Sequence, residues 1–386
     1  MPYVAKLTSM REPFVLTDTV FTTWRLARMA NASQYLAGHP SFALLKNVKV
    51  SRRATMTDCN ASMALPGAEA RPSFDLREMT GEALFEKLAD PKEEEKHYYY
   101  AKVDEDLKRD LQPNDFLWVS EDDKVANELY VWVSGTGIGP SVHYDMDHNI
   151  FTQAWGRKRF LLFPPWESKN LYPNPRIHPC NRKGQVDFDE PDLKRYPNLL
   201  KAKGYIADLK AGDVLYIPPF WWHKVYSLSP SISFSALSNS GIYHKLSGLY
   251  QHTFLFDHLE EEKKLGAILN FLKGLLEKIY GDGAVGFVKE MLESRWERLS
   301  LSEEEDSLGG YMEERIKLDF GSDIEFAVSI LKSCQTLYGQ DVDPNRQDIK
   351  AISSLELADF IEIILANAIG PQKVFPTLKS FYQMIQ

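Results

Sequence analysis

Four short apolar runs constrain this chain more than any other feature: Leu129-Tyr130-Val131-Trp132-Val133, Phe160-Leu161-Leu162-Phe163, Val214-Leu215-Tyr216-Ile217 and Ile232-Ser233-Phe234-Ser235. Each is strand-long, too short for a buried helix, and is bounded by Gly, Pro, Asn or Ser. Such runs, in series with turn chemistry between them, indicate an all-β sandwich or barrel over about 96–245. After about 245 the period changes. Leu265, Ile268, Leu269, Leu272, Leu275, Leu276 and Ile279 recur at helical spacing along one side, and Gly281-Asp282-Gly283 ends that stripe before Val285, Val288, Met291 and Leu292 begin another.

These shifts divide the chain. Residues 1–95 read as a mixed α/β lead-in, with Pro13 to Leu16 as a strand and Gly81 to Leu88 as a short helix. Residues 96–245 are the β core, and 246–300 are a helical pair that makes either a packed hairpin or a dimer seam. Residues 301–386 open on the acidic run Glu303-Glu304-Glu305-Asp306 and Gly309-Gly310, a linker pattern. Helices at 324–337 and 355–369 follow.

A histidine and an aspartate then stand out against the β core. In a strand, residues i and i+2 point the same way, so His143 and Asp145 of His143-Tyr144-Asp145 can hold one metal ion together. His223, at the end of Pro218-Pro219-Phe220-Trp221-Trp222-His223, supplies a third ligand of the same class. Two imidazoles and one carboxylate form the facial triad of iron(II) oxygenases, which leaves positions open for a co-substrate and dioxygen. His-X-Asp alone is a common three-residue pattern; here both halves sit on or beside expected strands. Alternation also places Lys158 on the opposite face from Arg157 and Arg159. His148 falls on the face away from Asp145, and His178 and Cys180 lie in a proline-rich loop, so neither is expected to bind the metal.

Composition excludes several classes. A chain of 386 residues with 44% hydrophobic and 12% aromatic residues can bury a sizeable core, and a formal charge of −9 argues against coating nucleic acid by charge alone. A local basic mix does occur, with Lys6, Arg11, Arg25, Arg28, Lys46, Lys49, Arg52 and Arg53. Cys59, Cys180 and Cys334 form no CxxC pair and support neither a disulfide framework nor a zinc ribbon, which suits a reducing compartment. The start lacks a signal-peptide pattern and no stretch is apolar enough to span a membrane, so the cytoplasm, the nucleus or both are the expected location.

The motifs carry a resemblance. Arg11-Glu12-Pro13-Phe14-Val15-Leu16-Thr17-Asp18, His143-Tyr144-Asp145, Gly156-Arg157-Lys158-Arg159, the run from Leu171 through Gln185-Val186-Asp187-Phe188-Asp189 to Pro197, and Gly212 to His223 resemble the JmjC-type cupin hydroxylases. Within them the likeness is strongest to the asparaginyl hydroxylase branch, factor inhibiting hypoxia-inducible factor. Tyr98-Tyr99, the stretch containing Asp110, Pro191-Asp192-Leu193 and Tyr196-Pro197 are similar to the tRNA wybutosine hydroxylase branch.

The resemblance implies a mostly β core with helices: a double-stranded β-helix of the jelly-roll or cupin type followed by an α-helical C-terminal region. It also implies an Fe(II)- and 2-oxoglutarate-dependent dioxygenase with His143, Asp145 and His223 on the metal. Lys158 would take the distal carboxylate of 2-oxoglutarate and Tyr99 would donate to the same group. Asn149 would lie near the iron-bound end and Phe151 would form an aromatic wall, with ordinary packing as the alternative for each. Ser141 would stand in for a hydroxyl three residues before the first histidine, where this chain has Pro140. The helices at 263–298 would dimerise.

Departures bear on the substrate. The asparaginyl branch reads its substrate amide with an Arg-Gln pair where this chain has Arg182-Lys183, and a lysine has donors only. Leu237 and Asn239 fall at or near that branch's later asparagine and tryptophan. The expectation is hydroxylation of a protein side chain, with succinate and CO2 released; hydroxylation of a hypermodified guanosine (wybutosine) in tRNA is the alternative, and a non-catalytic cupin that only binds partners is the third.

Overall fold

The computed structural model describes residues 11–17, 32–60, 65, 72–90, 92–111, 127–299, 318–336 and 345–386. Lys6, Arg25 and Arg28 of the basic mix and the acidic run with Gly309-Gly310 lie outside the described residues. The first strands in chain order are β1 Phe14–Leu16, β2 Leu45–Ser51, β3 Thr55–Met56, β4 Asp75–Met79, β5 Lys96–Lys102, β6 Asn127–Ser134 and β7 Gly139–Pro140. They are followed by β8 His143–Tyr144, β9 His148–Trp155, β10 Arg157–Phe163, β11 Tyr205–Lys210, β12 Val214–Ile217, β13 Trp222–Ser227 and β14 Ser231–Ser238. All four sequence-expected runs are strands.

An eight-stranded sheet, β1-β12-β9-β14-β6-β5-β2-β4, faces a four-stranded sheet, β11-β10-β13-β8. Every neighbouring pair in both is antiparallel, while β3 and β7 pair in parallel. This is the jelly-roll core the sequence led to expect. Gly156, at φ +75°, turns β9 into β10, and a Cβ there would lie 2.0 Å from the Pro230 carbonyl oxygen, so no other residue fits.

The large sheet is apolar on its outer face and mixes polar and apolar residues on its inner one. Leu129, Val131, Val133, Ile150, Ala154, Ile232, Phe234 and Ala236 pack outward against Leu36, Leu84, Phe85 and Leu107 of three short helices. The residues between them point into the space between the sheets. There Ser134 bonds Ser231 at 3.0 Å, Ser233 donates to Gln153 at 2.9 Å, and the Trp132 indole donates to Ser235 at 2.9 Å. The apolar part of the lumen comes from Phe151, Phe160, Leu162, Leu209, Leu215, Ile217 and Trp221.

The helical region follows the expected breaks. A helix at Glu261–Tyr280 ends at Gly281, with φ +54°, and a second begins at Ala284. The offered dimer seam is taken up inside the chain, because Leu265, Ile268, Leu269, Leu272, Leu275 and Leu276 are all buried in one core with Ala327, Leu331, Ile352, Phe360 and Leu365. Those partners belong to the helices Gly321–Thr336 and Gln347–Ile369. The second of these is buried nearly all round, as a helix without a polar face must be.

One reading is corrected. Cys59 and Cys180 form a disulfide with Cα atoms 4.5 Å apart, across 121 residues of sequence. The parallel pairing of Thr55 with Gly139 carries Cys59 to the loop that holds Cys180, and the Asn60 amide donates to the Pro179 carbonyl at 2.8 Å. Spacing in sequence hides a contact made by long-range strand pairing. Cys334 is free and buried. We expect Cys59→Ser to lower the free energy of unfolding by about 2–4 kcal/mol, read from denaturant melts; identical melts with and without reductant would show that the link does not stabilise the fold.

Candidate metal centre

The triad is assembled by one strand pairing. β8 runs antiparallel to β13 with His143 opposite His223, so both imidazoles project on one face, their ring centroids 4.1 Å apart. The His143 Nδ1 lies 2.8 Å from the Ser141 carbonyl oxygen and the His223 Nδ1 lies 3.0 Å from that of Trp221. A carbonyl only accepts, so each Nδ1 carries the proton and each Nε2 keeps its lone pair for the site. Asp145 follows β8 directly, with one carboxylate oxygen 3.8 Å from the His223 Nε2. The tight turn at Phe220, φ +64°, donates its amide to the Asp145 carbonyl at 2.7 Å and so ties the two halves together.

Electrostatics set the protonation states that a metal needs. Burial, reinforced by His223, pushes the His143 imidazole down to about 3 against the attraction of Asp145. Burial works to raise the Asp145 carboxyl, but His143, His223, Arg182 and Lys183 together hold it below its ordinary value. One ligand atom from each of His143, Asp145 and His223 lies within 4.8 Å of the others. Two neutral imidazoles and a carboxylate on one side of an ion, with the lumen open on the other, fit an octahedral iron(II) site.

Lys158 shares this face. Leu162 is the cross-strand partner of His223, and Lys158 lies four residues back along β10, about 13 Å at strand rise. Its ammonium is buried 5.4 Å from the centre of the Phe151 ring, and burial pushes it down to about 7. Phe151 meets Phe160 edge to face at 4.8 Å. Asn149, two residues before Phe151 on the same face, has a buried side-chain oxygen without a hydrogen-bond partner. Arg157 and Arg159 point outward, and Arg159 pairs with Asp208 at 2.7 Å.

A model of the cupin-like domain matches residues 3–237, more than half of the chain. The chain belongs to the cupin-like domain family. It is 38% identical over 130 residues to Jumonji C domain-containing protein 5 of Drosophila melanogaster, covering 33% of this chain and 32% of that protein. It is 34% identical over 145 residues to tRNA wybutosine-synthesizing protein 5 of Gallus gallus, covering 35% and 44%. This chain therefore spans a third to less than half of those relatives. Among solved structures, the ribosomal oxygenase YcfD of Escherichia coli with cobalt and 2-oxoglutarate matches at TM-score 0.30 and 14% identity, covering 64% of this chain and 56% of that one.

Other residues of this cupin-like domain fall differently from expectation. Tyr99 does not face the lumen; its ring packs edge to face on Phe42 at 5.9 Å in the outer core, whereas Tyr98 and Tyr100 contact Trp132. Three consecutive tyrosines leave the register ambiguous, and pairing with β6 settles it. The Ser141 hydroxyl is buried without a partner, and it is the carbonyl of this residue that orients His143. His148 bonds the Tyr216 hydroxyl at 2.8 Å, away from the triad, and His178 accepts the Cys180 amide at 3.0 Å. Trp132, Ser235 and Gln153 were missed as lumen residues; the serines at 231, 233 and 235 were the available signal.

Arg182 and Lys183 run beside β8. Tyr144 donates to the Arg182 carbonyl at 3.1 Å, Gly184 to that of Val142 at 2.9 Å, and Lys183 is bridged to His143. Both side chains line a cavity of about 590 Å³ next to the triad, with Asp58, Arg176, Tyr250 and Asp359. Titration of the metal-free chain with cobalt(II) should saturate at a single ion, and His143→Ala should weaken that binding by at least about tenfold, followed by visible absorption; equal affinity in wild type and variant would remove His143 from the metal.

Proposed function

We propose that this chain is an Fe(II)- and 2-oxoglutarate-dependent dioxygenase that hydroxylates a protein side chain. The observation that carries the reading is the buried Lys158 ammonium on the same lumen face as His143 and His223, about 13 Å along the strand. That separation suits a five-carbon diacid held at both ends. Iron(II) and 2-oxoglutarate, when bound, would let dioxygen act as the oxidant, one oxygen atom going into succinate as CO2 is lost and the other into a C–H bond.

The chain's own residues bind, orient and exclude water. His143, Asp145 and His223 hold the metal on one side only, with the Ser141 and Trp221 carbonyls fixing the ring orientations. Lys158 receives the distal carboxylate as a charge-assisted partner against the Phe151 wall. Asn149, whose side-chain oxygen has no partner, would turn its amide N–H toward the same slot, since the ionised diacid only accepts. Trp132, Phe160, Leu162 and Leu215 keep the lumen dry, which strengthens each of these contacts. Arg182 and Lys183 face the incoming substrate from the cavity.

The protein reading leans on the long likeness around 171–223. Hydroxylation of a modified guanosine in tRNA is the second reading, and the cations lining the cavity favour it. Iron-loaded protein with 2-oxoglutarate and peptide substrates should give succinate coupled to a +16 Da product that Asp145→Ala does not form. Succinate release that no peptide raises, but that tRNA does, would transfer the reading to the second substrate.

The Lys158 ammonium gives a pH dependence. Below about 7 it is already charged; above that value an incoming carboxylate must bind together with a proton. Affinity for 2-oxoglutarate should therefore fall by up to about tenfold per pH unit above neutrality, and Lys158→Met should both weaken binding and flatten the profile. Calorimetry between pH 6 and 9 reads this directly, and a flat wild-type profile would separate Lys158 from the co-substrate.

A further inference from the structure

We propose that the cavity beside the triad binds a phosphate group carried by the substrate; this rests on reading the triad as the oxidising centre. Five charged side chains line the cavity: Asp58, Asp359, Arg176, Arg182 and Lys183. Both carboxylates have cationic partners outside it, Asp58 the Lys49 ammonium at 2.6 Å and Asp359 the Arg295 guanidinium at 2.8 Å, which Glu362 shares at 3.0 Å. Among the described residues, no carboxylate is ion-paired with Arg176, Arg182 or Lys183. Two more acids lie nearby: Asp145, whose charge a bound metal ion would take up, and Asp147, which acts on Arg182. Three positive charges therefore converge on one space in a chain whose formal charge is −9.

Their surroundings favour an anion there. Arg182 and Lys183 are adjacent in the chain and line the cavity together with Arg176. A bound anion would relieve the repulsion among these like charges. A single carboxylate would answer one of the three, whereas a phosphate ester carries up to two charges on three oxygens, and planar guanidiniums bind such oxygens in pairs. About 590 Å³ admits a group of nucleotide size.

The backbone that carries the cations is held in place before any ligand arrives. The Arg176 amide is bonded to the buried Glu362 carboxylate at 2.5 Å, the Arg182 carbonyl accepts from Tyr144, and Lys183 is bridged to His143. Arg182 itself sits at φ +60°, a left-handed conformation that the neighbouring pairing enforces. Because the bridge puts Lys183 on the triad's face, the phosphate would sit next to the carbon that is oxidised.

The test uses the cobalt(II)-loaded chain, titrated calorimetrically with adenosine 5′-monophosphate and with adenosine. The monophosphate should bind at least tenfold more tightly, weakening as salt is raised. Arg176→Ala and Arg182→Ala should each cost tenfold or more, Arg182→Lys should recover part of the loss, and Lys158→Met should leave the binding in place. Thermal melts of each variant separate misfolding from lost contacts. Equal affinity for the monophosphate and the nucleoside would overturn the proposal, as would loss of binding in Lys158→Met alone, or tighter binding of a phosphate-free acidic peptide. Monophosphate binding by a protein that releases no succinate when loaded with iron would instead overturn the oxygenase reading and leave the anion site standing.

Discussion

Because β8 is only two residues long and pairs with β13 in a single register, a slip of one residue would send one imidazole to the opposite face. The arrangement is held by neighbours rather than by its own length. The Phe220 amide bonds the Asp145 carbonyl, Lys224 on the other face of β13 is buried 3.8 Å from Asp189, and the 182–184 segment pairs along the free edge of β8. An edge strand this short would otherwise fray. Covering it with the loop that bears Arg182 and Lys183 fixes the histidines and one wall of the adjoining cavity in one step.

The lumen is built at a cost in stability. Asn149 and Ser141 each leave a buried side-chain oxygen unpaired, and Lys158 is a buried cation whose charge burial opposes. An unpaired buried polar group costs about 1–3 kcal/mol. A fold selected for stability alone would fill this space with Leu and Val, as the outer face of the same strands does. Polar residues turned inward and apolar ones outward invert the usual pattern of a sheet, and that inversion is what makes the space between the sheets a place for a polar ligand.

Much of this was legible in the sequence. The strands at 129–133, 160–163 and 214–217 were plain because both faces of each are largely apolar, and Lys158 was separable from Arg157 and Arg159 because alternation in a strand is strict. β9 was harder to see, since His148-Asn149-Ile150-Phe151-Thr152-Gln153 mixes polar and apolar residues with no solvent face to explain the polar ones. The Tyr98-Tyr99-Tyr100 run had no internal signal of register, so the tyrosine assigned to the lumen fell on the outer core. The Cys59–Cys180 link and the burial of the 265–276 stripe both depend on contacts between segments far apart in sequence, which composition and periodicity cannot encode.

The C-terminal helices have a role in the site that their distance in sequence obscures. Glu362, fully buried on the Gln347–Ile369 helix, accepts from the Arg295 guanidinium at 3.0 Å, the Trp296 indole at 2.9 Å and the Arg176 amide. Burial raises its carboxyl toward about 7 while Arg295 opposes the shift. A buried acid with three donors around it is a poor way to gain net stability, since removing one partner of such a pair costs about 3–5 kcal/mol while replacing the whole by apolar residues is often neutral. Its geometric effect is clearer. One carboxylate joins the helical pair, the last long helix and the loop that lines the cavity, and Asp359, one turn earlier, reaches the same cavity while paired to the same arginine. The Gln347–Ile369 helix, which helps bury the stripe at 265–276, thus also forms part of the wall of the cavity beside the triad, so that its lining is positioned by a late helix as well as by the β core.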